Sequence, residues 1–347
     1  MRNLSFLVRT GCVLAAGLAA SMGPAQPAAP AAASQASIND RMAGDLHPVH
    51  DPAIIKQGDT YYLFSTSQES DKAGLMHIRS SKDLVNWRRE PPAFAQMPAW
   101  AKQTIKGTVG LWAPDVVFSN GRYRVYYSVS TFGSNRSAIG MVTTASLNPK
   151  DPNYGWRDEG EVFSSQRSND YNAIDPNVIT DREGRMWMSF GSFWSGLKMF
   201  RLDPATGKRL AGDKQIISLA RRASPGAVEA PFIIERGGYY YLFASYDSCC
   251  RGAKSTYYTV VGRSKDVTGP YVDYDGKKLL AGAGQVVLHS KLDKTKRWVG
   301  PGHVAVLRDQ GKDFIVYHAY DAKNDGRPTL RIAPMGWTPD GWPVAVL

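Results

Sequence analysis

Three carboxylates stand close to prolines that are far apart along the chain. Asp51 and Asp175 each directly precede a proline, and Glu229 stands two residues before Pro231. Asp175 and Glu229 also have apolar neighbours, among which a buried charge is costly unless it serves a purpose. Hydrolysis of a glycosidic bond needs one carboxyl group to protonate the leaving oxygen and a second to activate water or to attack the sugar. These residues therefore predict a glycosidase site, provided that the fold brings them together.

Five units of similar organisation can supply that fold. Each unit starts at a short pair ending in proline, continues as an apolar strand, turns at a glycine and returns as an aromatic-rich strand, which is typical of a β-hairpin. The pairs are Asp51-Pro52, Ala113-Pro114, Asp175-Pro176, Ala230-Pro231 and Gly300-Pro301. Units of about 55 to 70 residues with room for four strands predict an all-β, five-bladed β-propeller over residues 34–347. A jelly roll or sandwich is the alternative, but it does not explain five similar units.

A propeller would also explain how distant residues meet. The first strand of each blade lines the central axis, so residues at equivalent positions of different blades converge there. Asp51, Asp175 and Glu229 belong to the first, third and fourth units. We therefore expect the three carboxylates in one axial pocket.

The segments around these carboxylates resemble the signatures of the family 43 glycoside hydrolases, and specifically of the endo-α-1,5-L-arabinanases. The matching segments are His50-Asp51-Pro52, Leu111-Trp112-Ala113-Pro114-Asp115, Asn172-Ala173-Ile174-Asp175-Pro176, Gly191-Ser192-Phe193-Trp194-Ser195-Gly196, Val228-Glu229-Ala230-Pro231, Asp247-Ser248-Cys249-Cys250-Arg251-Gly252, Gly300-Pro301-Gly302-His303 and Tyr317-His318-Ala319-Tyr320-Asp321. The resemblance covers the chain from about His47 onward. It implies an inverting mechanism, with Asp51 as general base, Glu229 as general acid, and Asp175 as the carboxylate that orients substrate and raises the pKa of Glu229. Inversion implies that acid and base are about 6.5–9.5 Å apart.

The resemblance also implies a calcium ion on the axis, held by one histidine and mostly by water. His303 is the expected ligand because it follows the fifth proline pair, and His318 on the next strand is the second candidate. Calcium prefers oxygen donors, which agrees with a water-rich site.

Substrate contacts are expected from the loops at the same end of the axis. Aromatic rings can stack on the apolar faces of sugars, which nominates Trp112 and Trp194 in particular. By the match of motifs, the nominated substrate-binding residues are His50, Trp112, Gly133, Asn172, Ala173, Ile174, Ser192, Phe193 and Trp194.

The N-terminal segment is typical of a secretory signal peptide. Arg2 and Arg9 are followed by an apolar run and then by Ala/Pro-rich sequence, so residues 1–33 are expected to comprise a signal peptide and an Ala/Pro-rich segment, with cleavage between Ala25 and Ala33 on export to the periplasm or the exterior. The net charge of +11 raises the question of nucleic acid, but the basic residues are scattered and form no nucleic-acid motif. After processing only Cys249 and Cys250 remain, as a vicinal disulfide or as two thiols. The expected product is a monomer with no nucleic-acid partner and no membrane anchor.

Two alternative hypotheses share the carboxylates or the fold with this prediction. The first is an exo-acting α-L-arabinofuranosidase or β-xylosidase of the same family; such enzymes often block one end of the cleft with extra segments or a second domain. The sequence ends soon after the fifth unit, which favours an open groove and cleavage within the arabinan side chains of pectin. The second hypothesis is a carbohydrate-binding propeller without catalysis, which would not need three carboxylates.

Overall fold

A computed structural model describes residues 37–347, which form one compact unit of almost entirely β structure. The predicted signal peptide, residues 1–33, lies outside the described residues and stays a prediction. Across residues 37–347, none of the helices has both the length and the apolar character needed to cross a membrane.

The strands form five sheets that follow one another along the chain. In chain order they are β1 (Ala43–Gly44), β2 (Ala53–Gln57), β3 (Thr60–Ser65), β4 (Ser67–Gln68), β5 (His77–Ser81), β6 (Asn86–Glu90), β7 (Gly110–Ser119), β8 (Arg122–Val129), β9 (Ser137–Thr144), β10 (Arg157–Ser165), β11 (Asn177–Thr180), β12 (Met186–Phe190), β13 (Leu197–Leu202), β14 (Ile217–Ala220), β15 (Val228–Arg236), β16 (Tyr239–Tyr246), β17 (Tyr258–Ser264), β18 (Gln285–Leu288), β19 (Trp298–Asp309), β20 (Lys312–Asp321), β21 (Arg327–Trp337) and β22 (Pro343–Ala345). The helices are α1 (Ile38–Arg41) and α2 (Ala99–Thr104), with short 3₁₀ turns at Glu69–Asp71, Gly252–Lys254, Leu279–Ala281 and Ser290–Leu292.

Each sheet is an antiparallel meander of four consecutive strands, and this arrangement confirms the five-bladed propeller. The blades are β2-β3-β5-β6, β7-β8-β9-β10, β11-β12-β13-β14, β15-β16-β17-β18 and β19-β20-β21-β22. β1 adds to the outer edge of the first blade, and β4 to the inner edge of the second. The innermost strands β2, β7, β11, β15 and β19 contact one another in ring order, which places them around a common axis.

The hairpins that open the blades have the turn chemistry expected from the sequence. In the second blade the pair Ser119 and Arg122 encloses Asn120 and Gly121, both with positive φ, as a type I′ turn requires. Gly237 and Gly238 satisfy the same requirement in the fourth blade. These turns set the strand register at the end of the propeller opposite the carboxylates.

The hydrophobic core lies between the blades rather than within one layer. Separate clusters of buried side chains fill each of the five seams, where a seam is the contact between neighbouring blades. The seam between the fifth and first blades joins Leu63 and Trp87 to Val316 and Ile332. The same seam is covered by the N-terminal segment, because Asn39 Oδ1 accepts the Ile332 amide at 2.8 Å.

One residue near the start of each innermost strand has a left-handed backbone, and we call these five positions the hub residues. They are Asp51 (φ 53°), Ala113 (φ 47°), Asp175 (φ 58°), Ala230 (φ 56°) and His303 (φ 49°). The amide of each hub residue donates to a side chain of the preceding blade, and we call these side chains the seam acceptors. In hub order the seam acceptors are His318 Nδ1, Thr66 Oγ1, Ser128 Oγ, Asp175 Oδ2 and Ser245 Oγ, at 2.8–3.1 Å.

The hub residues correct two positions inferred from the proline pattern. In the fifth blade the equivalent position is His303, not the Gly300-Pro301 pair, because β19 is irregular on both sides of Gly302 and extends past the proline. In the fourth blade Ala230 is the hub residue, so Glu229 stands one position before it and its side chain starts from a different point. Asp51, Asp175 and His303 are therefore strictly equivalent, and Glu229 is not.

Candidate active site

Asp51 is held from three sides. Its amide donates to His318 Nδ1 at 3.1 Å, and its Oδ2 accepts the Thr66 hydroxyl at 2.6 Å. Its Oδ1 lies 3.1 Å from His303 Nδ1. Since Thr66 also accepts the Ala113 amide at 2.8 Å, one hydroxyl fixes both this carboxylate and the next hub residue.

The surroundings of Asp51 favour its charged form. Burial alone would raise the pKa of Asp51, but the charge of His303 and the hydrogen bond from it, together with His50, hold that pKa well below its usual range. Reciprocally, burial would lower the pKa of His303, and the charge of Asp51 overcomes this and raises it to about 9. Asp51 is thus an ionised carboxylate in a partly exposed position, with 19% of its side-chain surface open.

Asp175 and Glu229 have the opposite electrostatic character. Asp175 is buried, and its Oδ2 accepts the Ala230 amide at 3.1 Å, which ties it to the residue directly after Glu229. Glu229 lies on β15 and its Oε2 accepts the Ser192 hydroxyl at 2.7 Å. Burial and the negative charge of Glu229 raise the pKa of Asp175 to about 8. Burial and the charge of Asp51 raise the pKa of Glu229, against hydrogen bonds from Ser192 and Tyr257.

The pocket therefore separates one carboxyl group whose pKa is lowered from two whose pKa is raised. Because like charges repel mutually, the charge that raises the pKa of Asp175 also opposes ionisation of Glu229. A site with carboxyl groups of opposed proton affinity can supply an acid and a base at the same pH.

The histidines around Asp51 bear on the predicted metal. His303, the expected ligand, stands in the pocket and directly contacts Asp51. A second group of potential ligand atoms, within 4.8 Å of one another, comes from His50, Asp51 and His318. The donor set fits a hard cation: Asp51 offers a carboxylate oxygen 3.1 Å from His303 Nδ1, and the charges of Asp51, Asp175 and Glu229 favour a positive charge at this place, which a cation could supply instead of the imidazole proton.

The nominated substrate residues fall into two groups. His50 lies beside Asp51 (Nδ1 to Oδ1, 3.9 Å), Ser192 contacts Glu229, and Phe193 and Trp194 follow Ser192 on a loop where Trp194 is 41% exposed. Asn172, Ala173 and Ile174 precede Asp175 but are buried. The amide oxygen of Asn172 accepts the Ser137 hydroxyl at 2.6 Å, so this side chain ties the segment that leads to Asp175 to β9 of the second blade.

The remaining nominations lie on the second blade. Trp112 is half-buried, and its ring packs against Phe132, with centroids 5.4 Å apart. Phe132 is 79% exposed, and Gly133 follows it with a positive φ. The exposed ring of the pair is thus Phe132, which the sequence did not single out.

Sequence reasoning also missed Thr66 and Tyr257. Thr66 follows β3 at the place where Ser128 and Ser245 stand relative to their own strands, so a recurring hydroxyl at the end of the second strand was a usable signal. Tyr257 is buried with its hydroxyl toward Glu229, and its ring packs where a side chain at Gly302 would stand. No pattern in the sequence marks this contact.

The loop after β16 carries the adjacent cysteines. Cys249 and Cys250 are joined in a disulfide, and the Cys250 amide donates to the Tyr320 hydroxyl at 2.7 Å. The Tyr320 ring in turn lies 5.4 Å from that of His50, so the loop supports the aromatic residues behind Asp51.

Comparison with known proteins agrees with this geometry. The chain is 44% identical over 306 residues to the extracellular exo-α-(1→5)-L-arabinofuranosidase ArbA of Cellvibrio japonicus, covering 85% of each chain. It is 42% identical over 296 residues to extracellular endo-α-(1→5)-L-arabinanase 1 of Bacillus subtilis, covering 85% of this chain and 87% of that one. The structure of a Cellvibrio cellulosa α-L-arabinanase complexed with arabinohexaose superposes with a TM-score of 0.80 at 42% identity, covering 87% of this chain and 96% of that one. Residues 47–343 match the glycosyl hydrolases family 43 profile, and the chain belongs to this family of glycoside hydrolases.

Proposed function

We propose that this enzyme cleaves internal α-1,5-L-arabinofuranosidic bonds of arabinan with inversion of configuration. The observation that carries the proposal is the opposed proton affinity of Asp51 and Glu229 in one pocket. The similarity to an endo-arabinanase and to an arabinanase complexed with arabinohexaose supports arabinan as the substrate.

In the proposed reaction Asp51 is the general base. Its carboxylate removes a proton from water as the water oxygen attacks the anomeric carbon. Thr66 and His303 restrict its rotation, since each contacts one of its two oxygens. Because the base is already oriented, the reaction does not have to meet the entropy cost of bringing it into the geometry for attack.

Glu229 is the general acid. It donates its proton to the glycosidic oxygen as that bond breaks, so the leaving sugar departs as a neutral alcohol and Glu229 is left ionised. Asp175 has a positioning and electrostatic role: its negative charge when ionised opposes loss of the Glu229 proton, and its bond to the Ala230 amide fixes the strand beside Glu229. Proton transfer through solvent from Asp51 to Glu229 restores the starting state.

Exposed aromatic rings at the rim support binding of several sugars. Phe132 belongs to the second blade, and Trp194 to the third. Two rings on different blades can contact sugars beyond the bond that is cut, as endo cleavage of a chain requires.

The exo-acting alternative has its own support, because the relative from C. japonicus is named an exo-α-(1→5)-L-arabinofuranosidase. Sizing the products of linear 1,5-arabinan separates the two. Early oligosaccharides of mixed length are expected from endo cleavage, and products of one size from the start would contradict it.

We also propose that the enzyme binds a calcium ion. His303 would hold the ion together with water, and the bound cation would supply positive charge next to Asp51 and Asp175. We expect a chelator to lower kcat or the melting temperature and calcium to restore it. His303→Asn should remove this response; an unaltered response would contradict the assignment of His303.

We also propose that the protein is exported. The predicted signal peptide at residues 1–33 agrees with two relatives that are named extracellular. N-terminal sequencing of the mature protein checks it, and an intact Met1 on exported protein would contradict it. We propose a monomer, with arabinan as the partner and no nucleic acid.

The decisive experiment for mechanism follows the anomeric protons by NMR during hydrolysis. Inversion predicts β-configured product first, and α-configured product first would contradict it. Glu229→Gln should lower kcat/KM on arabinan by about 10²–10⁴-fold, which is the usual contribution of proton transfer from a positioned acid.

A further inference from the structure

His318 is a buried imidazole at the back of the pocket. It lies on β20 and is fully buried. Its ring stacks on that of Tyr257 with centroids 6.0 Å apart and packs against His50 at 4.4 Å and Tyr320 at 5.4 Å. This packing leaves the ring little freedom to turn.

The hydrogen bond of His318 defines its protonation. Nδ1 accepts the Asp51 amide at 3.1 Å, so this nitrogen must present a lone pair. A neutral imidazole has one acceptor nitrogen and one N–H, and Nε2 therefore carries the proton. Nε2 is buried and has no hydrogen-bond partner among residues 37–347.

His318 is the one nitrogen acceptor among the seam acceptors, which otherwise comprise three hydroxyls and the Asp175 carboxylate. At three other seams a hydroxyl accepts the hub amide: Thr66 for Ala113, Ser128 for Asp175 and Ser245 for His303. A hydroxyl both accepts and donates, and Thr66 does both. The Nδ1 lone pair of His318 can only accept, so it holds the backbone of Asp51 without competing for its carboxylate.

We propose that His318 is a positioning residue for the general base, acting through its Nδ1 lone pair on the Asp51 amide, and not a metal ligand. The inference rests on the proposed role of Asp51. Without an acceptor the amide would be buried and unpaired, and the backbone could leave its φ of 53°. The carboxylate would then move away from Thr66 and His303.

The alternative is that His50, Asp51 and His318 bind a metal, since two histidines and a carboxylate are a common ligand set for transition metals. Binding through His318 Nδ1 would require the Asp51 amide to lose its acceptor. Binding through Nε2 would require the proton to move to Nδ1, where it would face that amide.

Side-chain geometry offers a sharp test. The Oδ1 atom of asparagine stands where Nδ1 of histidine stands, whereas the amide of glutamine is one bond further from the backbone. His318→Asn should keep kcat on arabinan within about 3-fold of wild type. His318→Gln and His318→Leu should lower kcat on the order of 10- to 100-fold with KM little changed, as misplacement of a catalytic group does.

A matched control is His77→Asn. His77 is also buried and its ring nitrogens have no hydrogen-bond partner among the described residues, but it lies on β5, outside the pocket. This variant should change the melting temperature without changing kcat. If kcat of the three His318 variants simply follows their melting temperatures, or if the Asn and Gln variants lose kcat equally, the proposal is wrong.

A measurement on the unaltered enzyme reports the tautomer directly and does not depend on activity toward a substrate. The ¹⁵N NMR signals of His318, assigned by their loss in His318→Asn, should show a protonated Nε2 and an unprotonated Nδ1. The opposite tautomer, or a shift of these signals on titration with Zn²⁺, would overturn the inference. Failure of the proposed function would instead appear as wild-type protein that does not cut arabinan but retains this tautomer.

Discussion

Removal of the Ser192 hydroxyl should shift the pH dependence of the enzyme upward. Ser192 donates to Glu229 Oε2 at 2.7 Å, and this hydrogen bond lowers the pKa of Glu229 against the effect of burial. Ser192→Ala therefore raises that pKa. Because Glu229 must be protonated to act as general acid, the alkaline limb of the kcat/KM profile should move to higher pH.

The size of the shift follows from the contact. A hydrogen bond to a charged group contributes about 1.5–3 kcal/mol, and one pKa unit corresponds to about 1.36 kcal/mol. Ser192 is 4% exposed but Glu229 is only partly buried, so water can replace part of the lost bond. We expect a shift of about one pH unit, near the lower end of the range.

The same loop provides the control for this experiment. The Ser195 hydroxyl is buried and has no hydrogen-bond partner among the described residues, so Ser195→Ala removes a hydroxyl without removing a bond to Glu229. Initial rates on linear 1,5-arabinan at about ten pH values for both variants give the two profiles. An alkaline limb that stays in place or moves down in Ser192→Ala, or that moves equally in both variants, would refute the assignment of Glu229 as the acid.

Three other substitutions test the remaining contacts. Burial and the charge of Glu229 raise the pKa of Asp175 to about 8, whereas its pKa in the unfolded chain is about 3.9. Asp175 therefore costs the fold nothing below about pH 4, where it is protonated in both states, and it lowers the free energy of unfolding increasingly as the pH rises from 4 toward 8. Asp175→Asn should consequently raise the melting temperature by a few degrees at pH 7 but not at pH 4, in calorimetry on chelated protein; a gain of equal size at both would contradict this. Thr66→Val leaves the Ala113 amide without its acceptor and should lower the free energy of unfolding by about 1–3 kcal/mol and reduce kcat, whereas Thr66→Ser should retain both in denaturant melts and rate assays. Phe132→Ala should raise KM on arabinan about 3- to 10-fold through loss of stacking; Phe118→Ala, which removes a ring that is 56% exposed on the hairpin at the opposite end, should leave KM unchanged, and equal effects would refute a substrate contact.

The sequence predicts the blades well because each opens with local chemistry. Proline before the strand and glycine in the turn determine a hairpin from residues next to one another, and Asn120-Gly121 is such a case. The propeller then follows from repetition, and with it the meeting of Asp51 and Asp175.

Contacts across the seams are harder to predict. Thr66 and Ala113 meet only because two blades pack at a particular angle, and neither residue type reveals it. The irregular β19 also separates the proline from the hub residue, so the proline marker fails at His303. Burial of Asn172 is equally invisible in the sequence, since an asparagine next to a catalytic residue could face either way.

The seam acceptors imply that a blade is the wrong unit for building chimeric propellers. Every hub residue is held by the blade before it, as Asp51 is by β20 and His303 by β16. A transplanted sheet would carry its hub residue away from the partner that sets its backbone. Recombination in the turn between the first and second strands of a blade would instead move Thr66, Ser128 and Ser245 together with the hub residues that they serve, and grafts made in that register should retain a working pocket.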